Sequence, residues 1–232
     1  IILVCPSKVA DAKMKMYNLD GSEGKMCGNG IRCVGKFLYD HGMVDINEKD
    51  EITIETLSGI KKLKAYTSGG KVNRLRVDMG KAILDPKEIP VVLDGDKVVD
   101  RPVEIAGKNY NITCVSMGNP HCVVFMDDID NLDIETVGPE FENDKLFPER
   151  VNTEFVTVLD DHTIKMRVWE RGSGETWACG TGACAVAVAA CENGFCKKGE
   201  DIKIKLKGGD LIINYTDETV YMTGNAEKVF EG

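Results

Sequence analysis

ACGTGACAVAVAACENG, from Ala178 to Gly194, offers no polar stripe to solvent. A helix of this composition must be covered on every side, and side chains this small let strands pack closely around it. Cys179-Gly180-Thr181-Gly182 leads into it, and Asn193-Gly194 supplies the stop. A matching element stands earlier in the chain. MCGNGIRCVGKFLYDHG, from Met26 to Gly42, places Cys27-Gly28-Asn29-Gly30 before a stripe of Ile31, Val34 and Leu38, with Gly42 as its end. A third, weaker helix is predicted near Ile134–Asn143, interrupted by Gly138-Pro139.

The remaining regular segments alternate with period two and read as strands. They are Lys13–Tyr17, Glu51–Thr56, Lys61–Tyr66, Asn73–Met79, Asn111–Met117, His121–Met126, Glu154–Leu159, Thr163–Trp169, Ile202–Leu206 and Leu211–Tyr215. Gly-Gly at 69–70 and 208–209 marks tight hairpins. Strands, a Cys-Gly-x-Gly turn, a helix and more strands thus occur twice. The expected fold is α/β (α+β), with two pseudo-symmetric domains, each a mostly antiparallel sheet wrapped around a central helix. The active site is expected in the interdomain cleft. The domains read as 1–73 and 74–224, with 225–232 returning toward the N-terminal half. The opening IILVCPS lacks a basic leader and reads as a strand entered partway along, which predicts further native sequence upstream.

With 232 residues, 43% hydrophobic and 29% charged, the composition is that of a globular protein. A net charge of -9 argues against nucleic acid, whose phosphates need a basic footprint. The longest apolar run, Ala183–Cys191, is far too short for a membrane span. Nine cysteines raise the question of disulfides or metal. The count is odd, no two cysteines are separated by just two residues, and His41, His121 and His162 form no i, i+4 pair. Reduced thiols in a cytoplasmic protein, with no metal, are the better reading. Cys5, Cys33, Cys114, Cys122, Cys184, Cys191 and Cys196 read as small core residues or as incidental.

Cys27 and Cys179 are different because each precedes a helix N-terminus. Unpaired first-turn amides and the helix dipole favour negative charge there, so each thiolate is expected to be stabilised. The glycines let amides approach a carboxylate. A carboxylate gripped by two such turns has a more acidic α-carbon. A thiol on each face of that carbon supplies a base and an acid, and inversion of the stereocentre follows. Two ordinary capping turns with incidental cysteines are the bland alternative, which the doubling argues against.

NLDGSEGKMCGNGIRC (Asn18–Cys33), SMGNPHCV (Ser116–Val123), FPERVNTEF (Phe147–Phe155) and WERGSGETWACGTGAC (Trp169–Cys184) closely resemble the diaminopimelate epimerase family, from the first residues to the last. The resemblance implies a pyridoxal-phosphate-independent isomerase that uses no cofactor. It would interconvert LL- and meso-2,6-diaminopimelate on the route to lysine and peptidoglycan. It also implies roles residue by residue. Cys27 and Cys179 match the catalytic pair, while Gly28-Asn29 and Gly180-Thr181 match the turns holding the reacting carboxylate. Asn18, Asn119, Asn152, Glu170 and Arg171 match the substrate-binding positions, and His121 and Glu170 match groups adjusting thiol protonation. A homodimer is implied, with Phe230 standing where the family carries an interface tyrosine. An asparagine and a glutamine that the family supplies from its N-terminal strand and loop are not present upstream of Ile1.

The chemistry suits these residues. Arg171 offers a planar fork for a distal carboxylate, and Glu170 and the asparagine amides can accept from an ammonium. Asn18 and Asn119 also suit turns, beside Asp20-Gly21 and Pro120, and Glu170-Arg171 could be a surface ion pair. Two other functions share the paired thiols: a proline or hydroxyproline racemase, and a dithiol redox protein. The small cyclic substrate of the first has no need of Arg171 and several asparagines. A disulfide switch has no need of a carboxylate site. A binding protein without activity is a third alternative, disfavoured by the intact cysteine pair.

Overall fold

A computed structural model describes residues 1–17, 21–46 and 51–231. The chain divides into two compact units, one of 1–79 together with the segment from Tyr221 onward, the other Gly80–Val220. The first carries β1 (Ile2–Cys5), β2 (Ala12–Tyr17), β3 (Glu23–Gly24), α1 (Gly28–Asp40), β4 (Ile52–Thr56), β5 (Gly59–Ser68) and β6 (Lys71–Asp78). The second carries β7 (Arg101–Ile105), β8 (Lys108–Ser116), β9 (Pro120–Phe125), α2 (Ile134–Glu142), β10 (Asn152–Asp160) and β11 (Thr163–Glu170). It continues with β12 (Gly174–Thr176), α3 (Gly180–Glu192), β13 (Asp201–Leu206) and β14 (Gly209–Tyr215), after which β15 (Val220–Asn225) joins the first unit.

In the first unit the strand order is β1-β2-β4-β5-β6-β15, with β3 beside β2. All these pairs are antiparallel except β2–β4. Ile52, Ile54, Leu63, Leu75 and Val77 are fully buried, and α1 packs on β4, β5 and β6 through its predicted stripe of Ile31, Val34 and Leu38. The alternation in β6 slips between Leu75 and Val72 because Asn73 is an extra residue opposite the Tyr66–Thr67 step of β5. This bulge returns Val72 to the buried face. The hairpin turns at Gly69-Gly70, where φ is +59° and +76°.

The expected boundary at 73/74 therefore falls inside a strand, and the division by contacts comes after Met79 instead. The C-terminal return begins at Tyr221 rather than 225, because β15 pairs along β6 from Tyr221–Asp78 to Asn225–Arg74. A strand with a solvated face carries too little hydrophobic signal to announce its partner.

The second unit has the order β14-β13-β11-β10-β9-β8-β7, with β12 beside β11. Its parallel pairs are β9–β10 and β11–β13. Successive side chains of β10 point to opposite faces. Phe155 meets Phe141 of α2 edge-on at 5.4 Å, while the Glu154 carboxylate lies against the first turn of α3. The α3 helix packs on β8, β9, β10, β13 and β14, and Ala183 through Ala190 are all fully buried. This is the burial its composition demands. A second apolar cluster lies under α2, built from Ile112, Cys114, Val124, Phe141 and Phe155, among others.

The expected break at Gly138-Pro139 does not occur, and α2 runs unbroken through Pro139. Proline there forgoes only the bond to the first-turn carbonyl of Glu135, four residues back. Asp133 caps the helix by accepting from Thr136 N.

Candidate active site

Each unit builds one thiol-bearing turn. In the first, Cys27 is the N-cap of α1 at φ -131° and ψ 117°, and its Sγ accepts from Gly30 N at 3.3 Å. No acidic residue occupies the first turn. The glycines are closely covered: a β-carbon on Gly28 would stand 2.9 Å from Met222 Cε, and one on Gly30 2.4 Å from Ile2 Cδ1, so each would push a side-chain tip aside. Beneath the turn lies a buried guanidinium that sequence reading missed. Arg32 donates to Gly28 O, to Asn29 Oδ1 and to Asn225 O of β15. The Asn29 side chain is thereby committed to bracing the turn. A lone arginine inside an amphipathic pattern carries no signal of this role.

In the second unit, Cys179 is the N-cap of α3 at φ -121° and ψ 111°, within about ten degrees of Cys27 in both angles. It is 5% exposed, and its Sγ lies 3.6 Å from Thr181 Oγ1. The expected stabilised thiolate is not what this environment favours. Burial pushes the Cys179 thiol well above its ordinary value, and Glu170 and Glu154 push the same way. The Thr181 hydroxyl and Gly182 N–H oppose them without prevailing. A thiol at a helix N-terminus gains from the dipole only while its surroundings are wetter and less acidic than these.

A chain of polar groups runs from this sulfur into the interior. Asn119 Nδ2 donates to Thr181 Oγ1 at 3.4 Å, and Asn119 Oδ1 lies 3.1 Å from His121 Nε2. His121 Nδ1 is 2.7 Å from Glu154 Oε1, and both side chains are fully buried. Burial raises the Glu154 carboxyl above the usual range, His121 opposes this, and Glu170 adds to it. Glu154 is a residue that sequence reading passed over. Its usable signal was a carboxylate inside an apolar strand, two positions after Asn152.

The other expected substrate groups cluster at the turn after β11. Arg171 N donates to Asn152 Oδ1 at 3.0 Å, and Asn152 Nδ2 donates to Pro120 O at 2.8 Å. Asn152 thus ties two backbone segments together, with one N–H and one lone pair uncommitted among the described residues. Arg171 Nη1 reaches Glu149 O. Glu170 accepts from Thr176 Oγ1 on β12. Buried Glu142 holds the turn from below, accepting from Gly172 N, Arg150 Nη1 and Trp169 Nε1. Asn18 lies outside the described residues. Phe230, in the segment after β15, is 85% exposed.

Among the described residues no His, Cys, Asp and Glu cluster of three or more could hold a metal ion, and no helix is long and apolar enough to cross a membrane. Among the described residues no disulfide joins any two cysteines. What each turn can do chemically is hold an anion at its own amide-rich helix end, with a sulfur beside it.

The family model for diaminopimelate epimerase matches residues 1–84 and 113–229. A diaminopimelate epimerase of Acetivibrio thermocellus is 53% identical over 234 residues, covering the whole of this chain and 82% of its own length. One from Agathobacter rectalis is 52% identical, covering the whole chain and 83% of its own. The crystal structure of a probable proline racemase from Agrobacterium radiobacter K84 superposes with a TM-score of 0.73. It covers 99% of this chain and 76% of its own, at 17% identity, which establishes a shared fold alone. Matched by the family model along most of its length and by relatives sharing half of its residues, the chain belongs to the diaminopimelate epimerase family of amino acid isomerases.

Proposed function

We propose that this chain interconverts LL- and meso-2,6-diaminopimelate by two-base proton transfer at the α-carbon, with Cys27 and Cys179 as the two acid–base groups. One sulfur removes the proton and the other returns it to the opposite face. The Gly28-Asn29 and Gly180-Thr181 turns hold the reacting carboxylate, where their amides meet the charge that develops on its oxygens. Asn18, Asn119, Asn152, Glu170 and Arg171 bind the remainder of the substrate, and His121 and Glu170 adjust thiol protonation. No step requires a cofactor or metal. One observation carries this proposal: two cysteines adopt the same N-cap conformation, each before a Gly-x-Gly turn, in two separate units.

The test is solvent deuterium entering the α-carbon from each stereoisomer in heavy water. Cys27→Ser and Cys179→Ser should each slow racemising turnover by about 10² or more, the span of general acid–base catalysis. Unchanged deuterium entry in Cys179→Ser from both isomers defeats the proposal. Turnover of proline isomers alone would defeat the choice of substrate. We further place the enzyme in the cytoplasm as a homodimer, supported by Val229 and Phe230, which stand 88% and 85% exposed after β15.

A further inference from the structure

Glu154 is a fully buried carboxylate that the proposed reaction does not use. Its Oε1 faces two ways. It lies 2.7 Å from His121 Nδ1, and a β-carbon on Gly182 would stand 2.6 Å from it and 3.3 Å from Cys179 Sγ. Glycine at 182 leaves the carboxyl room against the α3 turn beside the sulfur. Among the described residues its Oε2 has no hydrogen-bond partner. A buried carboxyl left half unpaired costs stability, and a purely structural site would sooner be filled by an apolar residue.

The hydrogen bonds between Glu154 and Cys179 have a sense. Asn119 Oδ1 can only accept, so His121 Nε2 carries a hydrogen toward it. Asn119 Nδ2 in turn donates to Thr181 Oγ1, which frees the Thr181 hydroxyl hydrogen for Cys179 Sγ. His121 Nδ1 then faces Glu154 Oε1 at 2.7 Å. The relay aims a donor at the sulfur, and the carboxyl sets negative charge beside the same sulfur. These two influences oppose each other.

We propose that Glu154 is a positioning residue that keeps Cys179 in its thiol form, so that Cys179 enters the reaction as a proton donor. This rests on the two-thiol reaction above. The other ionisable groups facing the pair are His121 and Cys122 on β9 and Glu170 on β11. Cys122 is itself pushed up, first by burial, then by Cys114 and by Glu154.

The test needs no substrate. Cys179 is alkylated with iodoacetamide across pH 6.5 to 10.5 in the free enzyme and followed by peptide mass spectrometry, with Cys27 read in the same samples. Glu154→Gln keeps the shape and a hydrogen-bonding group while removing the charge. It should speed Cys179 alkylation about tenfold at a fixed pH below the midpoint, because removing a nearby negative charge favours the thiolate. Thr181→Val removes the donor and should slow it. Opposite signs are what a merely structural role cannot produce. A Glu154→Gln profile within twofold of wild type, or one moved the same way as Thr181→Val, overturns the proposal. Should Glu154→Gln fail to fold, the wild-type chain still answers. The carbon-13 resonance of the Glu154 carboxyl must show an inflection at the pH where Cys179 ionises, and its absence refutes the coupling. Loss of α-carbon exchange in the wild-type enzyme would instead defeat the reaction while leaving these titrations intact.

Discussion

Cys179 and Glu154 show how a local rule is overruled by its surroundings. The helix-terminus argument applies equally to Cys27 and Cys179, since both share one backbone geometry. Burial and two carboxylates decide the matter at Cys179, and neither is visible from the motif. Glu154 has a consequence for stability as well. Its folded carboxyl titrates above the unfolded value of 4.5, so the folded chain holds more protons as the pH rises past that value. The contribution of this group is therefore fully favourable below about pH 4.5 and is lost as pH climbs through the folded titration. Glu154→Gln should then melt higher than wild type at pH 7, by about 2–4 °C if the relief is about 1 kcal/mol. The gain should shrink toward nothing near pH 4, as calorimetry at both pH values would show. A lower melting temperature at pH 7 would mean that the carboxylate is stabilised by His121 rather than strained.

At the scale of the element, the three helices differ in how far sequence pattern reached. The stripe of α1 and the all-round burial of α3 follow directly from residue spacing and size, and both helices lie where the pattern put them. The misreading of α2 came from treating Gly138-Pro139 as a break. What the pattern could not show is that Gly138 lies under the Trp169 indole, where a β-carbon would be 2.3 Å from Cδ2. The indole cannot retreat, since its Nε1 donates to buried Glu142. Alanine in a helix interior ordinarily stabilises by about 1 kcal/mol over glycine. Here Gly138→Ala should instead destabilise by about 1–3 kcal/mol, the usual cost of overpacking. Urea denaturation measures this, and a stabilised variant would show that the indole yields.

Across the whole molecule, the exposed Val229 and Phe230 form an apolar patch with Phe37, which is 42% exposed, around a cavity of about 320 Å³ that Lys36, Asp40 and His41 also line. Exposed apolar surface of this kind marks an interaction site. If a second copy covers it, Phe230→Asp should halve the particle mass in light scattering while leaving the circular dichroism unchanged. A wild-type monomer at tens of micromolar would count against the dimer.

Ten of the strands, the two Cys-Gly-x-Gly turns and the two helices behind them were determined by sequence alone, because period and side-chain size act over a few residues, whereas β3, β7, β12, β15 and the order within the sheet were not. Asn119, His121 and Asn152 were legible only through the family's motifs. Their spacing says nothing of the relay they enter, nor of Asn152 binding two backbone segments. Arg32 under the first turn and Glu154 beside the second were decided by tertiary structure, as was the departure of β15 to the first unit. Burial, electric field and strand pairing are set by residues tens or hundreds of positions away, and no local pattern encodes what the fold brings beside a charge.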